Sequence, residues 1–256
     1  VLCRELSQLY AASVTGNKPM LPELSVQYAD YACWQREQLN SQRTQTLLDF
    51  WMSHLQGIPH SLELPTDFPR EERQTYKGGC QNIFFDRELT KQIKDLGQEV
   101  GATSFMTLMA VFQLLLSRLS AQETVVVGAP VAGRMRAELE PLIGLFLNSL
   151  VLRGDLGGNP SFRELLVQAR TTLLDAHNHD DLPFEQLVQA LRPEQDLSRT
   201  PLFQVLFNEA DFEASELMLT GVRVEPLEAS ESIESKYDLT VYMAGQDSEL
   251  SLALVY

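Results

Sequence analysis

Four histidines are the side chains best suited to acid–base chemistry near neutral pH. His177 and His179 lie two residues apart, so on a helix they would point to different sides. Together with Asp180 they could form a metal cluster, but no further ligand stands at a matching spacing. His54 lies near the end of a predicted helix and His60 follows a proline, and we expect both at the surface. The spacing therefore predicts no metal site and no catalytic base.

The common motifs of nucleophilic and phosphate-binding sites are absent from the sequence. There is no GxSxG motif, no P-loop and no GxGxxG motif after a strand. Adjacent carboxylates such as Asp180 and Asp181 are common at helix starts, and we expect Asp181 to cap a short helix that Pro183 opens. The residues by themselves thus offer no convincing nucleophile or base.

One amide stands out because of the residues around it. The segment Ile143–Arg153 has apolar residues at both odd and even positions, which predicts a strand covered on both sides. Asn148 is costly there unless it is hydrogen-bonded or faces a wet cavity. Either neighbouring backbone satisfies the amide, or Asn148 lines a channel for a polar group, in which case alanine should lower activity without unfolding. Alternation predicts one face with Phe146, Asn148, Leu150 and Leu152, and another with Leu147, Ser149, Val151 and Arg153.

Composition excludes several classes of protein. The 256 residues suffice for one large domain or two lobes, and their 44% hydrophobic and 21% charged content is typical of a globular protein. A net charge of −15 argues against nucleic acid and anionic membranes as partners. Cys3, Cys33 and Cys80 lack the spacing of a disulfide framework or zinc site. Without a signal peptide or an apolar run of membrane-spanning length, we expect a cytoplasmic protein.

The first 77 residues predict helices and extended segments. A helical pattern runs from Leu2 to Tyr10 without a preceding cap. A further helix is expected from Tyr28 towards Leu39, followed by a second helical stretch through Phe50 and Trp51 to Leu55. The chain also stops inside a strand pattern at Tyr256, so we expect both ends to lie within a longer polypeptide.

From residue 78 onward strands and helices alternate, which predicts an α/β fold with a mixed sheet flanked by helices. Ser161 and Glu164 predict a capping box. The predicted strands are Gln81–Phe85, Thr124–Pro130, Ile143–Arg153, Leu202–Asn208, Lys236–Ala244 and Glu249–Tyr256. The predicted helices are Glu88–Val100, one from a cap at 103 or 104 to Leu119, one through Phe162 and Leu173 that ends near Asn178, and Phe184–Leu191.

Several stretches together resemble the condensation domain of non-ribosomal peptide synthetases. Tyr28–Trp34 (YADYACW) is similar to the family's YxDYAxW segment, and Ile143–Arg153 (IGLFLNSLVLR) to its IGxFVNTxxxR segment. Asn178–Glu185 (NHDDLPFE) resembles HQDxPFE, and Asp196–Leu202 (DLSRTPL) resembles RDxSRxPL. The four motifs occur in the family's order over nearly the whole chain.

The resemblance implies a chloramphenicol-acetyltransferase-like fold. This chain would be the carboxy-terminal half of a two-lobed, V-shaped domain, with residues 1–77 linking the lobes and residues 78–256 forming the carboxy-terminal lobe. The family's HHxxxDG motif, whose second histidine is the active-site residue, is absent and would lie before Val1. The resemblance therefore implies no catalytic residue in this chain, and no activity for the chain alone.

The implied reaction is amide-bond formation. A donor acyl or peptidyl thioester and an acceptor aminoacyl thioester would arrive on the phosphopantetheine arms of peptidyl carrier proteins, with no cofactor bound directly. Partners would be these carriers, the missing amino-terminal lobe and neighbouring synthetase domains. The alternative is a non-catalytic platform that docks carrier proteins or recruits other proteins.

The resemblance also assigns residues to roles. Arg134 or Arg153 would pair with the aspartate of the HHxxxDG motif. The segment from Asp180 to Glu185 would fix a helix junction near the lobe interface. The expected tunnel or substrate residues are Phe146, Asn148, Ser149 and Leu150, and the supporting residues are Arg134, Arg153, Asp180, Asp181, Pro183, Phe184, Ser198 and Arg199.

Overall fold

A computed structural model describes residues 1–134, 136–192, 196–209, 217–225, 233–245 and 249–256. The helices are α1 (Leu2–Thr15), α2 (Tyr28–Gln38), α3 (Ser41–His54), α4 (Arg87–Gln98), α5 (Ser104–Ser120), α6 (Phe162–His177) and α7 (Phe184–Leu191). The strands are β1 (Lys77–Gly78), β2 (Cys80–Phe84), β3 (Thr124–Val131), β4 (Asn148–Asp155), β5 (Val205–Glu209), β6 (Ile233–Glu234), β7 (Leu239–Ala244) and β8 (Ser251–Val255).

Six of the strands form one mixed sheet in the order β2-β8-β7-β5-β3-β4. Strand β5 runs parallel to β3 and β7, and the other pairs are antiparallel. This arrangement confirms the predicted α/β class with a mixed sheet. Strands β1 and β6 form a separate pair of two residues each, which is too short for a period-2 pattern to predict.

Helices cover both faces of the sheet. A Cβ on Gly154 of β4 would lie 2.7 Å from a side chain of α5. Val151, three residues away, faces the opposite side and pairs with Gly128 of β3. A Cβ on Gly128 would overlap the ring of Phe203, which lies 5.4 Å from Phe184 of α7. Helix α5 therefore lies on one face of the sheet and α7 on the other.

The buried apolar residues form two separate groups. The larger, which we call the main core, joins the sheet to α5, α6 and α7, and it includes Leu47 and Trp51 of α3. Helix α2 contributes no buried residue. The smaller group, which we call the small cluster, contains Leu139, Leu142 and Phe146, packed against Leu24, Val26 and Tyr31.

Local signals predicted most helix starts. Thr103 caps α5 by accepting from the Met106 amide, and Ser161 and Glu164 form the expected capping box of α6. The strand predicted to begin at Ile143 instead begins at Asn148, so the first part of that prediction is wrong. Its partner β3 ends opposite Asn148, which leaves no strand to pair with residues 143–147.

Candidate functional site

Backbone groups satisfy the amide of Asn148, the first residue of β4. Its Nδ2 donates to the carbonyls of Asp180 and Leu182, both at 2.8 Å, and its Oδ1 accepts from the Phe184 amide at 3.0 Å. Of the two interpretations of this residue, satisfaction by neighbouring backbone is therefore the one observed. The sequence cannot reveal these partners, because they lie 32 to 36 residues further along the chain.

Asn148 also takes the place of a capping residue for α7. Pro183 occupies the N-cap position, as the predicted helix start requires, but it makes no side-chain cap hydrogen bond. Asp181, predicted to cap this helix, instead pairs with Arg43 of α3. The prediction for Asp181 is wrong because Asn148 Oδ1 already accepts from the first helical amide.

A cavity of about 480 Å³, which we call the strand-end cavity, is bordered by Leu150 and by Asp180, whose carbonyl accepts from Asn148. Strands β3 and β5 are parallel, so their carboxyl ends meet at one edge of the sheet, where ligands commonly bind in α/β folds. The start of α5 and the end of α6 complete the wall. Its lining includes Phe105, Met106, Ala132, Gly133, Arg134, Leu150, Leu173, His177, Asp180, Asn208 and Glu209.

A second cavity of about 250 Å³, which we call the α2 cavity, has Asn148 in its wall. Gly133 and Asp180 border both cavities, so the two cavities adjoin the same residues. The α2 cavity is lined by Tyr28, Tyr31, Trp34, Arg43, Gly133, Arg136, Leu145, Phe146, Leu147, Asn148, Asp180, Asp181, Pro183 and Glu185, among others.

The four predicted tunnel residues do not share one surface. Phe146 lies in the small cluster and borders the α2 cavity with Asn148, whereas Leu150 is 1% exposed and borders the strand-end cavity. Ser149 borders neither cavity, because it follows Asn148 and faces the other side of the sheet. That a substrate passes these residues stays a prediction.

The two candidate arginines lie on different sides of β4. Arg134 donates to the Leu139 carbonyl, and its guanidinium lies 4.1 Å from the centre of the Phe146 ring. Arg153 donates to the Gln56 carbonyl at 2.7 Å, beyond the end of α3. Both arginines are engaged within this chain, and of the two only Arg134 borders a cavity next to Asn148.

Helix α3 supports the segment that Asn148 binds. The Phe50 ring stacks on His179 with centroids 3.6 Å apart, and Trp51 Nε1 donates to the His179 carbonyl at 3.1 Å. His177 Nδ1 lies 3.7 Å from a carboxylate oxygen of Asp180. These contacts hold the turn between α6 and the segment from Asp180 to Phe184, and the role of Asp180 to Glu185 at a lobe interface stays a prediction.

His54 corrects an expectation, because it is half-buried rather than at the surface. Its Nε2 is buried without a hydrogen-bond partner. Burial lowers the pKa of His54, and the nearby Arg153 guanidinium lowers it further. For the Tyr31 phenol beside the α2 cavity, burial has the opposite effect and raises the pKa. Tyr28 and the carboxylates of Asp181 and Asp180 raise it further.

Ser198 and Arg199 lie apart from the Asn148 region. Ser198 donates to the Asp196 carboxylate at 2.7 Å, and Arg199 pairs with Glu63 at 2.9 Å. Arg199 borders a different cavity, beside Pro201. These residues therefore support a loop joined to the 61–64 segment, and they do not border either cavity beside Asn148.

Residue type alone did not mark every wall residue. The aromatic residues of α2 predict packing, and only the fold shows that Tyr28, Tyr31 and Trp34 line a cavity beside Asn148. Within the described parts of the chain, no group of three or more His, Cys, Asp or Glu residues could hold a metal ion. A search of the same residues finds no helix that combines the length and apolar character needed to span a membrane.

Sequence comparison identifies the family. A family model described as "Condensation domain" matches residues 1–256. One of the linear gramicidin synthase proteins of Brevibacillus parabrevis is 47% identical over 257 residues, covering 100% of this chain and 5% of that protein. Phosphinothricin tripeptide synthetase PhsC of Streptomyces viridochromogenes is 41% identical, covering 97% of this chain and 23% of that protein. The chain thus spans a small part of each relative.

Solved structures share the fold. The X-domain from teicoplanin biosynthesis matches with a TM-score of 0.89 and 27% identity, over 99% of this chain and 59% of that one. SgcC5 from Streptomyces globisporus matches with a TM-score of 0.78 and 27% identity, over 100% of this chain and 59% of that one. These matches confirm the predicted chloramphenicol-acetyltransferase-like fold.

The family match covers every residue, and the gramicidin and phosphinothricin relatives both exceed 40% identity, as the four sequence motifs led us to expect. This chain belongs to the condensation-domain family of non-ribosomal peptide synthetases.

Proposed function

We propose that this chain serves in a condensation reaction in which the amine of an acceptor aminoacyl thioester attacks the carbonyl of a donor thioester, so that an amide bond forms, the donor C–S bond breaks and the thiol leaves on the donor carrier. A donor acyl or peptidyl thioester and an acceptor aminoacyl thioester approach on phosphopantetheine arms of peptidyl carrier proteins. Residues 78–256 act as one lobe and residues 1–77 connect it to a second lobe that bears the HHxxxDG histidine. The chain supplies a wall of the reaction site and is inactive without that lobe.

The observation that carries the proposal is a pair of cavities that share Gly133 and Asp180 in their walls, one of which Asn148 also lines. Two tethered reactants need a narrow path in which their reacting atoms are held close together and correctly oriented. Positioning of this kind can supply a large part of a rate enhancement without a nucleophile from the protein. A wall that combines apolar side chains, charged side chains and the satisfied amide of Asn148 suits this task.

The proposal can be tested by filling the strand-end cavity. Ala132 is exposed at its border, so Ala132→Trp adds volume there without enlarging the main core. Val111→Trp is the matched control, because Val111 is exposed on α5 and borders neither cavity beside Asn148. The variants are made in the synthetase that contains this chain, with both neighbouring carriers loaded, and intact-mass measurement follows transfer of the donor to the acceptor carrier.

We expect amide formation in the unsubstituted synthetase and in Val111→Trp, and at least a tenfold slower transfer in Ala132→Trp, on the order of 1.4 kcal/mol of barrier. Equal rates in the two tryptophan variants would show that the strand-end cavity is not on the reaction path. Absence of transfer in the unsubstituted synthetase, with both carriers loaded, contradicts condensation as the function.

A second candidate is a recruitment platform. The observation that favours it is the TM-score of 0.89 to the teicoplanin X-domain, a protein solved in complex with OxyB. In this case the loaded carriers would exchange no acyl group, while a separate enzyme would bind the chain and act on the carrier-bound peptide. Such binding, measured by calorimetry, together with the absence of acyl transfer between the carriers, distinguishes the platform from the condensation catalyst.

A further inference from the structure

Helix α2 holds the connection between β3 and β4, which we call the 132–147 loop. The hydroxyl of Tyr28, the first residue of α2, donates to the Leu145 carbonyl at 2.8 Å. The ring of Tyr28 covers Gly144 so closely that a Cβ at that position would overlap it. The close approach of the tyrosine ring therefore requires a glycine at position 144. Tyr28 contacts the loop through both its ring and its hydroxyl.

Aromatic and cationic groups make further contacts between α2 and the loop. The Phe146 ring lies edge-on to Tyr28 at 5.2 Å and 4.7 Å from Tyr31. Arg136 of the loop lies over Trp34, with its guanidinium 4.7 Å from the ring centre. Aromatic pairs and cation–π contacts each add to the stability given by burial alone. Residues on successive turns of α2 thus contact two separate parts of the loop, residues 144–146 and Arg136.

The main core does not supply these contacts. Phe146 belongs to the small cluster, and α2 contributes no buried residue to either group. At its far end the loop joins β4 at Asn148, whose amide is bound to the segment from Asp180 to Phe184. Between that point and β3, the described part of the loop packs against α2 and against the segment before it that carries Leu24 and Val26.

The α2 cavity lies within this arrangement. Tyr28, Tyr31 and Trp34 form one side of it, and Leu145, Phe146 and Leu147 form another. A change in the distance between α2 and the 132–147 loop would therefore change the width of the cavity beside Asn148.

From these contacts we infer that Tyr28 is a positioning residue for the reaction. Its ring and hydroxyl set the distance between α2 and the 132–147 loop, and through that distance the shape of the wall next to Asn148. This inference rests on the proposed condensation function. It assigns Tyr28 no contact with the reacting atoms, so the expected effect lies in the rate of the chemical step rather than in carrier binding.

Two substitutions separate the contributions of the side chain. Tyr28→Phe keeps the ring over Gly144 and removes the hydrogen bond to Leu145, whereas Tyr28→Leu removes both. Tyr10→Phe and Tyr10→Leu are the matched controls, because Tyr10 lies in α1, which has no buried residue, and borders neither cavity beside Asn148.

The first measurement does not depend on activity. Hydrogen exchange of peptides from the 132–147 loop is followed in the 256-residue chain, with thermal unfolding recorded to establish that each variant folds. We expect exchange to rise slightly in Tyr28→Phe and strongly in Tyr28→Leu, and to stay unchanged in both Tyr10 variants. Unchanged exchange in folded Tyr28→Leu would overturn the inference.

The second measurement uses the synthetase that contains the chain. We expect kcat for amide formation to fall about 2–10-fold in Tyr28→Phe, the effect of one lost hydrogen bond, and by more in Tyr28→Leu, with KM for both carriers unchanged. Faster loop exchange with an unchanged kcat contradicts a role for Tyr28 in the reaction. A wild-type synthetase that forms no amide instead contradicts the proposed function, and with it the catalytic part of the inference, while the exchange data still report on the loop.

Discussion

The two halves of the segment Ile143–Arg153 differ in what holds them. From Asn148 onward the chain is strand β4, paired with β3, and Leu150, Val151 and Leu152 are at most 1% exposed in the main core. Before Asn148 the chain is loop, and only Phe146 is buried, in the small cluster. A continuous apolar pattern therefore serves two different packing environments.

The difference between the two regions lies in how many elements share the burial. The main core is bounded by a six-stranded sheet and by helices on both faces, so each side chain is held by several elements. The small cluster depends on one helix, α2, and on the short segment before it that carries Leu24 and Val26. Regions with few buried apolar contacts open locally at lower free energy than a core does. We expect the wall beside Asn148 to combine one rigid part with one adjustable part.

The largest expected effect tests this difference directly. Phe207 is 1% exposed and lies between Phe105 and Phe112, with ring centroids 5.2 and 5.4 Å away. Phe207→Ala should lower the free energy of unfolding by about 3–5 kcal/mol, because it leaves a cavity in the main core. Phe146→Ala should lower it by only about 1–2 kcal/mol, because the small cluster can open while the main core stays folded. The loss is then limited to about the free energy of that local opening.

Urea unfolding of the two phenylalanine variants measures both values, and hydrogen exchange adds the location of the change. We expect faster exchange to be confined to the 132–147 loop and α2 in Phe146→Ala. Equal destabilisation by the two substitutions would mean that the small cluster and the main core unfold as one unit.

The second largest effect is expected at Asn148, the residue at which the loop and strand β4 meet. Asn148→Ala leaves the carbonyls of Asp180 and Leu182 without their donor and the Phe184 amide without its acceptor. We expect a loss of about 2 kcal/mol in the free energy of unfolding, since unsatisfied polar groups near a core are costly. Urea unfolding compared with Asn82→Ala, a substitution on the exposed strand β2, provides the measurement and its control.

Retention of full stability in Asn148→Ala, with loss of amide formation in the synthetase, would restore the interpretation of Asn148 as a group that contacts the substrate. Loss of stability supports its role as the remote cap of α7.

The smallest effect is expected at the surface. Arg43 and Asp181 pair across α3 and the loop before α7, but their side chains are 46% and 50% exposed. Arg43→Gln should change the free energy of unfolding by less than about 1 kcal/mol, because exposed ion pairs are screened by water and salt. Thermal unfolding at low and high salt checks this. A loss above about 2 kcal/mol would show that the pair holds the Asp180–Phe184 segment more strongly than its exposure suggests.

Local patterns were sufficient to predict the order and type of the long elements. The period of α5, its Thr103 cap, the capping box at Ser161 and the proline before α7 all act within a few residues along the chain. The apolar alternation that gives β4 its two faces acts over the same short range. Helix propensity, capping and strand alternation depend on neighbours in sequence, so they can be predicted without a tertiary structure.

The sequence by itself thus determined the α/β class, the mixed sheet, the main helix caps and the four motifs that place the chain in its family. Only the tertiary structure decided that Ile143–Leu147 is a loop, that Asn148 caps α7, that Asp181 pairs with Arg43, and that Tyr28 binds Leu145. The Arg43–Asp181 pair joins residues 138 positions apart, and the hydrogen bond from Tyr28 to the Leu145 carbonyl joins residues 117 positions apart. Such contacts depend on how the sheet, α2 and α3 come together in space, and no local period or propensity encodes that arrangement.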